Sequence, residues 1–364
     1  MSLVVNVLYE HDHSGEPHGC SYIRLLRPLS HPSLNTDVRL IQSRQLSSEL
    51  ADVVIVERWW KPGLLEKDAI QLVNAVKQRG ATLIYTLDDN LLDLGSDEQG
   101  DTVPDEKLRA TRYFIRSADG LIVSTPELAQ RLTAMNSMVI VVPNALDERL
   151  YANAARGIQR PTFHLSRADQ NDNRIRIGYM GTLTHAFDLQ IIIEPLRKLL
   201  NRYADRVRFE LVGVSSEQEL IKRLFGPAAH ILQPTYGAHY EKFVSWFQST
   251  ARWDIGLAPL SARSFNRYKS DIKYLDYGIL GIPGVFSKFG PYTETVRDGV
   301  TGMLVDNHAD AWYNAMEKLV LKKDIRRQMG ICAFEYTVNE RILKLRANDW
   351  LGAINKIIML HREN

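Results

Sequence analysis

An α/β protein of two doubly wound domains is what this sequence predicts, on three observations. Short β-branched runs alternate with longer helix-period patterns, the signature of parallel strands joined by crossover helices. That rhythm stops in a polar stretch around residues 153–173 and then restarts. The length, 364 residues, suits two domains of roughly 100 to 200 residues each.

In the first half, residues 3–8, 38–42, 53–57, 82–87, 121–124 and 138–142 read as strands. In the second, residues 175–180, 207–213, 230–233, 254–258, 282–287 and 302–305 do so. Beyond Val305 the patterns at 309–321, 324–336 and 339–360 read as helices. The last carries Ile342, Leu345, Trp350, Ile354 and Ile357 as an apolar stripe that needs a partner surface. A helix crossing the domain junction meets that need. The expected division is a first domain over 1–165, a second over 172–337, and a terminal helix, 338–364, packing back on the first domain.

Composition narrows the function. Lys and Arg total 45 against 43 Asp and Glu, a formal charge of +2, so no global field gathers nucleic acid. Cys20 and Cys332 are the only cysteines, too few for a disulfide framework and in keeping with a reducing compartment. The opening residues read as a strand and not as a signal peptide, and no apolar run reaches the roughly 18 to 20 residues a bilayer requires. The expected location is therefore cytoplasmic, with contact at the inner membrane face left open. Lys318, Lys322, Lys323, Arg326 and Arg327 read as a solvated helix face interrupted by Glu317 and Asp324. Their alternative is contact with anionic lipid heads or acidic polymer.

Chemistry in such folds sits beyond the carboxyl ends of the strands, where loops enter helices with unsatisfied N–H groups. Gly178-Tyr179-Met180-Gly181-Thr182 ends a strand with a small-residue turn. There Gly181 either lets backbone approach a phosphate or serves a plain turn whose helix is capped by Thr184 or Asp188. The loop is not a dinucleotide fingerprint, which argues against a nicotinamide cofactor. Further on, Ser270 or Asp271 is expected to cap a helix that Gly281 ends, with Lys269 at its positive end and Asp276 about two turns in. A diphosphate would suit the first position and the vicinal hydroxyls of a ribose the second.

In the first half, Asp88 and Asp89 follow a strand and either serve as acid/base groups at its carboxyl end or cap a turn. Glu57, Trp59 and Trp60 follow another strand; the two indoles either stack the apolar face of a ligand or fill the core. His11 lies beyond the first strand. With Asp12, His13, His18 and Cys20 it matches no zinc spacing, so no metal site is expected.

Taken together, Val142-Pro143-Asn144-Ala145-Leu146-Asp147, the Gly178–Thr182 turn, the run from Lys269-Ser270 to Pro283, and residues 290–296 and 298–305 resemble the retaining, nucleotide-sugar-dependent glycosyltransferases of family four. The resemblance spans nearly the whole chain. It implies the GT-B architecture, two facing Rossmann-like domains, and metal-independent transfer of a hexose or deoxyhexose with no cofactor besides the nucleoside-diphosphate sugar donor. The acceptor it implies is a glycan or lipid-linked saccharide, in bacterial surface polysaccharide biosynthesis. On the donor side it implies Gly181, Thr182, Ser270, Lys273, Asp276, Tyr292 and Glu294, with Asp276 in the place of a ribose-binding Glu. Asp88, Asp89 and Lys269 are the implied catalytic residues, and His11, Glu57, Trp59 and Trp60 the acceptor side. Tyr268 stands where the family often has a sugar-contacting Glu. Two other functions compete: a GT-B-shaped sugar-nucleotide epimerase, and a two-lobed protein that binds a ligand without chemistry.

Overall fold

The computed structural model describes residues 2–94, 103–151, 173–182, 186–234 and 239–363. The polar stretch after residue 153 and Thr184 fall outside these. The chain divides into two units. The first comprises Met1–Asp147, Arg263–Ser270 and Ile342–Asn364; the second comprises Glu148–Ala262 and Asp271–Arg341.

The first unit holds β1 (Leu3–Leu8), β2 (Val38–Ser43), β3 (Val53–Glu57), β4 (Thr82–Leu87), β5 (Gly120–Val123) and β6 (Val139–Val141). They form one sheet in the order β2-β1-β3-β4-β5-β6, and every pairing is parallel. β3, β4 and β5 are buried along their whole length, because helices cover both faces. One face packs on the helices Glu66–Gln78 and Asp105–Ser117 through Leu72, Val76, Phe114 and Ile115. The other packs on Leu25, Leu26 and the helix Leu343–Glu363.

That last helix buries Ala347, Trp350, Ile354 and Ile357. Leu345, expected in the stripe, is 50% exposed. The observed spacing of three and four residues puts Leu343 and Ala347 on the inner face instead. At Gly120 a side chain would meet Ile357 at 2.7 Å, so helix and sheet touch there backbone to side chain.

The second unit holds β7 (Ile175–Met180), β8 (Val207–Val212), β9 (Ala229–Leu232), β10 (Ile255–Ala258), β11 (Gly284–Ser287) and β12 (Met303–Val305). Their order is β12-β11-β10-β7-β8-β9, again parallel throughout. The helices Ala186–Arg202 and Ala309–Leu321 supply Ile192, Leu196, Trp312 and Met316 to its core. The next helix runs Lys323–Glu340, four residues longer at its end than its pattern suggests. Arg341 breaks it, with its N–H on the Thr337 carbonyl, and Leu343 then donates to the Leu146 carbonyl. Among the described residues, no helix is long and apolar enough to cross a membrane.

In both sheets the strand order reverses beside the first strand, between β1 and β3 and between β7 and β10. Loops leaving those strands diverge to opposite faces and open a crevice at the carboxyl ends, where ligands of such sheets bind.

Candidate functional site

At the reversal point of the first unit lies a cluster of buried charge. Glu57 ends β3 and accepts the Glu10 N–H on Oε2 at 2.8 Å. Burial, then the neighbouring charge of Glu10, pushes its carboxyl up to about 8. Arg58 follows at φ 39°, the only left-handed non-glycine among the described residues, a conformation that costs about 1 kcal/mol or more and persists only when its surroundings enforce it. They do: its N–H donates to the Thr86 carbonyl at 3.1 Å, and its carbonyl accepts the Tyr85 hydroxyl at 3.0 Å.

So held, the Arg58 guanidinium reaches Glu10 at 2.9 Å, Asp88 at 2.7 Å and Asp89 at 3.5 Å. Burial works to raise the Asp88 carboxyl, but Arg58 and Arg24 outweigh it and hold Asp88 below the ordinary range. Lys269 sits 3.7 Å from Asp89 with its ammonium over the Phe265 ring at 4.5 Å. Asp88 and Asp89 thus meet on one half-buried arginine, and Lys269 joins them through Asp89. Lys269, expected at the positive end of the following helix, makes this pairing within the first unit, to which the segment Arg263–Ser270 belongs. Tyr268 is likewise anchored there, packing on the core while its carbonyl accepts the Thr125 hydroxyl at 3.3 Å.

Behind the cluster, the π-helical turn Tyr22–Leu26 carries Arg24, 2% exposed. It donates through Nη1 to the Val142 carbonyl at 2.6 Å and to Asn144 Oδ1 at 2.9 Å, and stacks 5.0 Å from the Trp350 ring centre. Burial lowers it to about 10. Asn144 Nδ2 in turn donates to Ser270 Oγ at 2.9 Å.

The acceptor-side candidates divide. Glu57 belongs to the cluster. His11 is half-buried, its Nδ1 2.7 Å from the Asp12 carbonyl and its ring edge-on to Tyr9. Trp60 is 5% exposed and packs edge-on to Phe114, so it is a core residue and no stacking platform. Trp59 donates to Thr111 Oγ1 at 3.0 Å, and Lys107 lies 4.5 Å from its ring centre, occupying a face a sugar would need.

In the second unit, Gly181 donates to the Val212 carbonyl at 3.0 Å, and a side chain on Gly213 would lie 2.2 Å from the Gly181 carbonyl. Two strand ends are thereby pressed together, and Thr182 beyond them is exposed. Asp188, in the first turn of its helix, accepts the Ser261 N–H at 2.8 Å and hydroxyl at 2.7 Å, joining the loops after β7 and β10.

Asp271 occupies the N-cap position of the helix Ile272–Ile279, yet its side chain makes no cap either. It binds Arg341 through two hydrogen bonds of 2.7 and 2.9 Å and accepts Thr295 Oγ1 at 2.9 Å, because a buried guanidinium outcompetes a solvated N–H. Gly281 ends the helix at φ 66°. Lys273 lies 5.7 Å from the Tyr179 ring centre. One turn on, Asp276 accepts the Tyr151 hydroxyl at 3.4 Å, and burial pushes its carboxyl up to about 7. Tyr292 is buried against Phe286 and forms part of the core; Glu294, two residues on, is exposed.

Sequence reasoning missed Glu10, Arg24, Arg58 and Asn144. Two of them stood inside segments already of interest, Arg58 beside Glu57 and Asn144 in the Val142–Asp147 run. The available signal was position: a charged residue immediately after a buried parallel strand.

Residues 174–322 match the family model of glycosyl transferases group 1. The D-inositol 3-phosphate glycosyltransferase of Corynebacterium diphtheriae is 27% identical over 256 residues, 66% of this chain, and the chain spans 57% of that relative's length. Among solved structures, HepE of Anabaena in complex with UDP-glucose superposes with a TM-score of 0.66 at 16% identity, covering 98% of this chain and all of that one. Sucrose-phosphate synthase of Thermosynechococcus elongatus gives 0.62 at 15% identity, covering 85% of this chain and 74% of that one. With two parallel six-stranded sheets and these structural neighbours, the chain has the GT-B fold, and the greater part of its second unit matches the group 1 glycosyltransferase family.

Proposed function

We propose that the protein transfers a sugar from a nucleoside-diphosphate donor to a hydroxyl of a glycan or lipid-linked saccharide, with retention at the anomeric carbon and without a metal. The observation that carries the reading is the Arg58 cluster, which gathers Asp88, Asp89 and Lys269 at the reversal point of the first sheet. UDP-sugars are the favoured donor class, since the neighbours HepE and the pneumococcal O-GlcNAc transferase GtfA were solved with UDP-glucose and with UDP and GlcNAc.

In this reading Lys269, Ser270 and Lys273 stabilise the negative charge that builds on the departing diphosphate. Asp276 accepts the ribose hydroxyls. Asp88 is kept ionised by Arg58, so it orients the acceptor hydroxyl while a departing phosphate oxygen takes that hydroxyl's proton. Glu57 is largely protonated at neutral pH, which spares the cluster a further negative charge. The acceptor is taken to be a bacterial surface polysaccharide or its lipid-linked precursor, met at the inner membrane face.

The test begins with thermal shifts against UDP, GDP, TDP and their sugars, since a ligand of the native state raises the midpoint. Product analysis follows. Nucleoside diphosphate released only when a glycan acceptor is present supports transfer; release without one, or conversion of the donor sugar alone, refutes it. Lys269→Ala should cut turnover by ~10²-fold or more. Near-normal turnover removes Lys269 from the site.

A further inference from the structure

We infer that Asn144 is a positioning residue that commits the Ser270 hydroxyl to donate to the diphosphate of the donor, with Arg24 fixing which way the Asn144 amide faces. The inference rests on the donor reading above, and adds to it a residue far away in sequence and a reason for anion selectivity.

Arg24 carries only donors. Its Nη1 lies on the Val142 carbonyl at 2.6 Å, and its guanidinium is stacked over Trp350, so burial leaves it one orientation. The Asn144 atom it meets at 2.9 Å must therefore be the acceptor, Oδ1. That settles the amide: Nδ2 points the other way, onto Ser270 Oγ at 2.9 Å. A serine hydroxyl has one hydrogen. Since Oγ is already accepting from Asn144, that hydrogen is directed away from the amide, available to an anion. Each link also polarises the next, from a full cation through an amide to a hydroxyl. A neutral ligand gains little from such a donor, whereas a phosphate oxygen gains a charge-assisted hydrogen bond.

Asn144→Asp tests this with almost no change of shape. The carboxylate keeps a partner for Arg24, so the buried cation stays paired and the fold is preserved. It cannot donate, however, and it draws the Ser270 hydrogen onto itself. The probe is whichever of UDP, GDP and TDP the wild type binds most tightly, with Kd by calorimetry at fixed salt, for Asn144→Asp, Ser270→Ala and the double variant. Each single change is expected to weaken binding about tenfold, the worth of one hydrogen bond to a charged group. The double variant should be no weaker than Ser270→Ala alone. A further tenfold loss in the double variant would show that the new carboxylate acts by its charge and overturns the inference, as would unchanged affinity in Asn144→Asp. If the wild type binds none of the three nucleotides, the donor reading itself fails. Wild-type binding with an indifferent Asn144→Asp defeats only the inference.

Discussion

Replacing Arg58 with Gln removes the one cation shared by Glu10, Asp88 and Asp89 while keeping a polar side chain of similar length. The side chain is 16% exposed, so little water screens it. Asp89 retains Lys269 at 3.7 Å and Asp88 keeps the longer-range charge of Arg24, which leaves Glu10 at 2.9 Å and Asp88 at 2.7 Å as the partners that lose their direct ion pair. Coulomb attraction at such distances is about 6 kcal/mol per pair at an effective dielectric of 20, most of it offset by desolvation. Removing one partner of a buried pair costs a measured 3 to 5 kcal/mol or so, because the other charge is left stranded. We therefore expect a loss of about 3 to 5 kcal/mol for unfolding of the first unit at pH 8, followed by near-ultraviolet circular dichroism in urea.

The pH dependence separates this explanation from lost packing. In the wild type the depressed Asp88 carboxyl stabilises the fold above its ordinary value of 3.8 and stops doing so as pH falls through its lower native one. Between pH 8 and 5 that contribution is constant. Without Arg58 the Asp88 carboxyl rises, and protons taken up near pH 5 relieve the stranded charge. The deficit of the variant against the wild type should accordingly shrink at pH 5. A deficit equal at both pH values, or below about 1 kcal/mol throughout, would refute the electrostatic account.

Three other outcomes follow from the same structure. Because the Glu57 carboxyl is raised from 4.5 to about 8, its contribution is fully present below 4.5 and is lost as pH climbs through 8. Glu57→Gln should thus match the wild type near pH 4.5 and exceed it by several degrees in thermal midpoint at pH 8.5; a lower midpoint at pH 8.5 would contradict the assignment. With Asp276 raised to about 7, nucleotide affinity should tighten from pH 6 to pH 8 as the better acceptor forms, and Asp276→Asn should abolish that trend. Gly178→Ala would place a methyl 1.7 Å from the Trp253 indole, which also donates to Glu210 at 2.9 Å; urea unfolding should show a loss of about 3 kcal/mol, and an unaffected midpoint would mean the indole moves freely.

The strands were legible because a doubly buried parallel strand must be apolar on both sides, and runs such as Val53–Val56 and Leu83–Tyr85 can hardly be anything else. The break at Arg341 was not, since neither Gly nor Pro marks it; the bond to Asp271, seventy residues earlier, ends that helix. Trp60 and Tyr292 lie at strand ends like true ligands, and only packing reveals them as core. Arg58 illustrates the converse. A left-handed backbone angle leaves no trace in composition, so its role emerges only when Tyr85 and Thr86 are seen to impose it.

Trp350 covers Arg24, and Ile354 and Ile357 close the face of the sheet that begins at Leu3. The ribosome makes those strands first and that helix after the whole second unit. The first sheet therefore waits, half-finished and with a cation unsheltered, for a helix translated after the second unit. A nascent chain stalled before Leu343 would expose apolar sheet surface, which makes this stage of synthesis the one where a chaperone has most to protect.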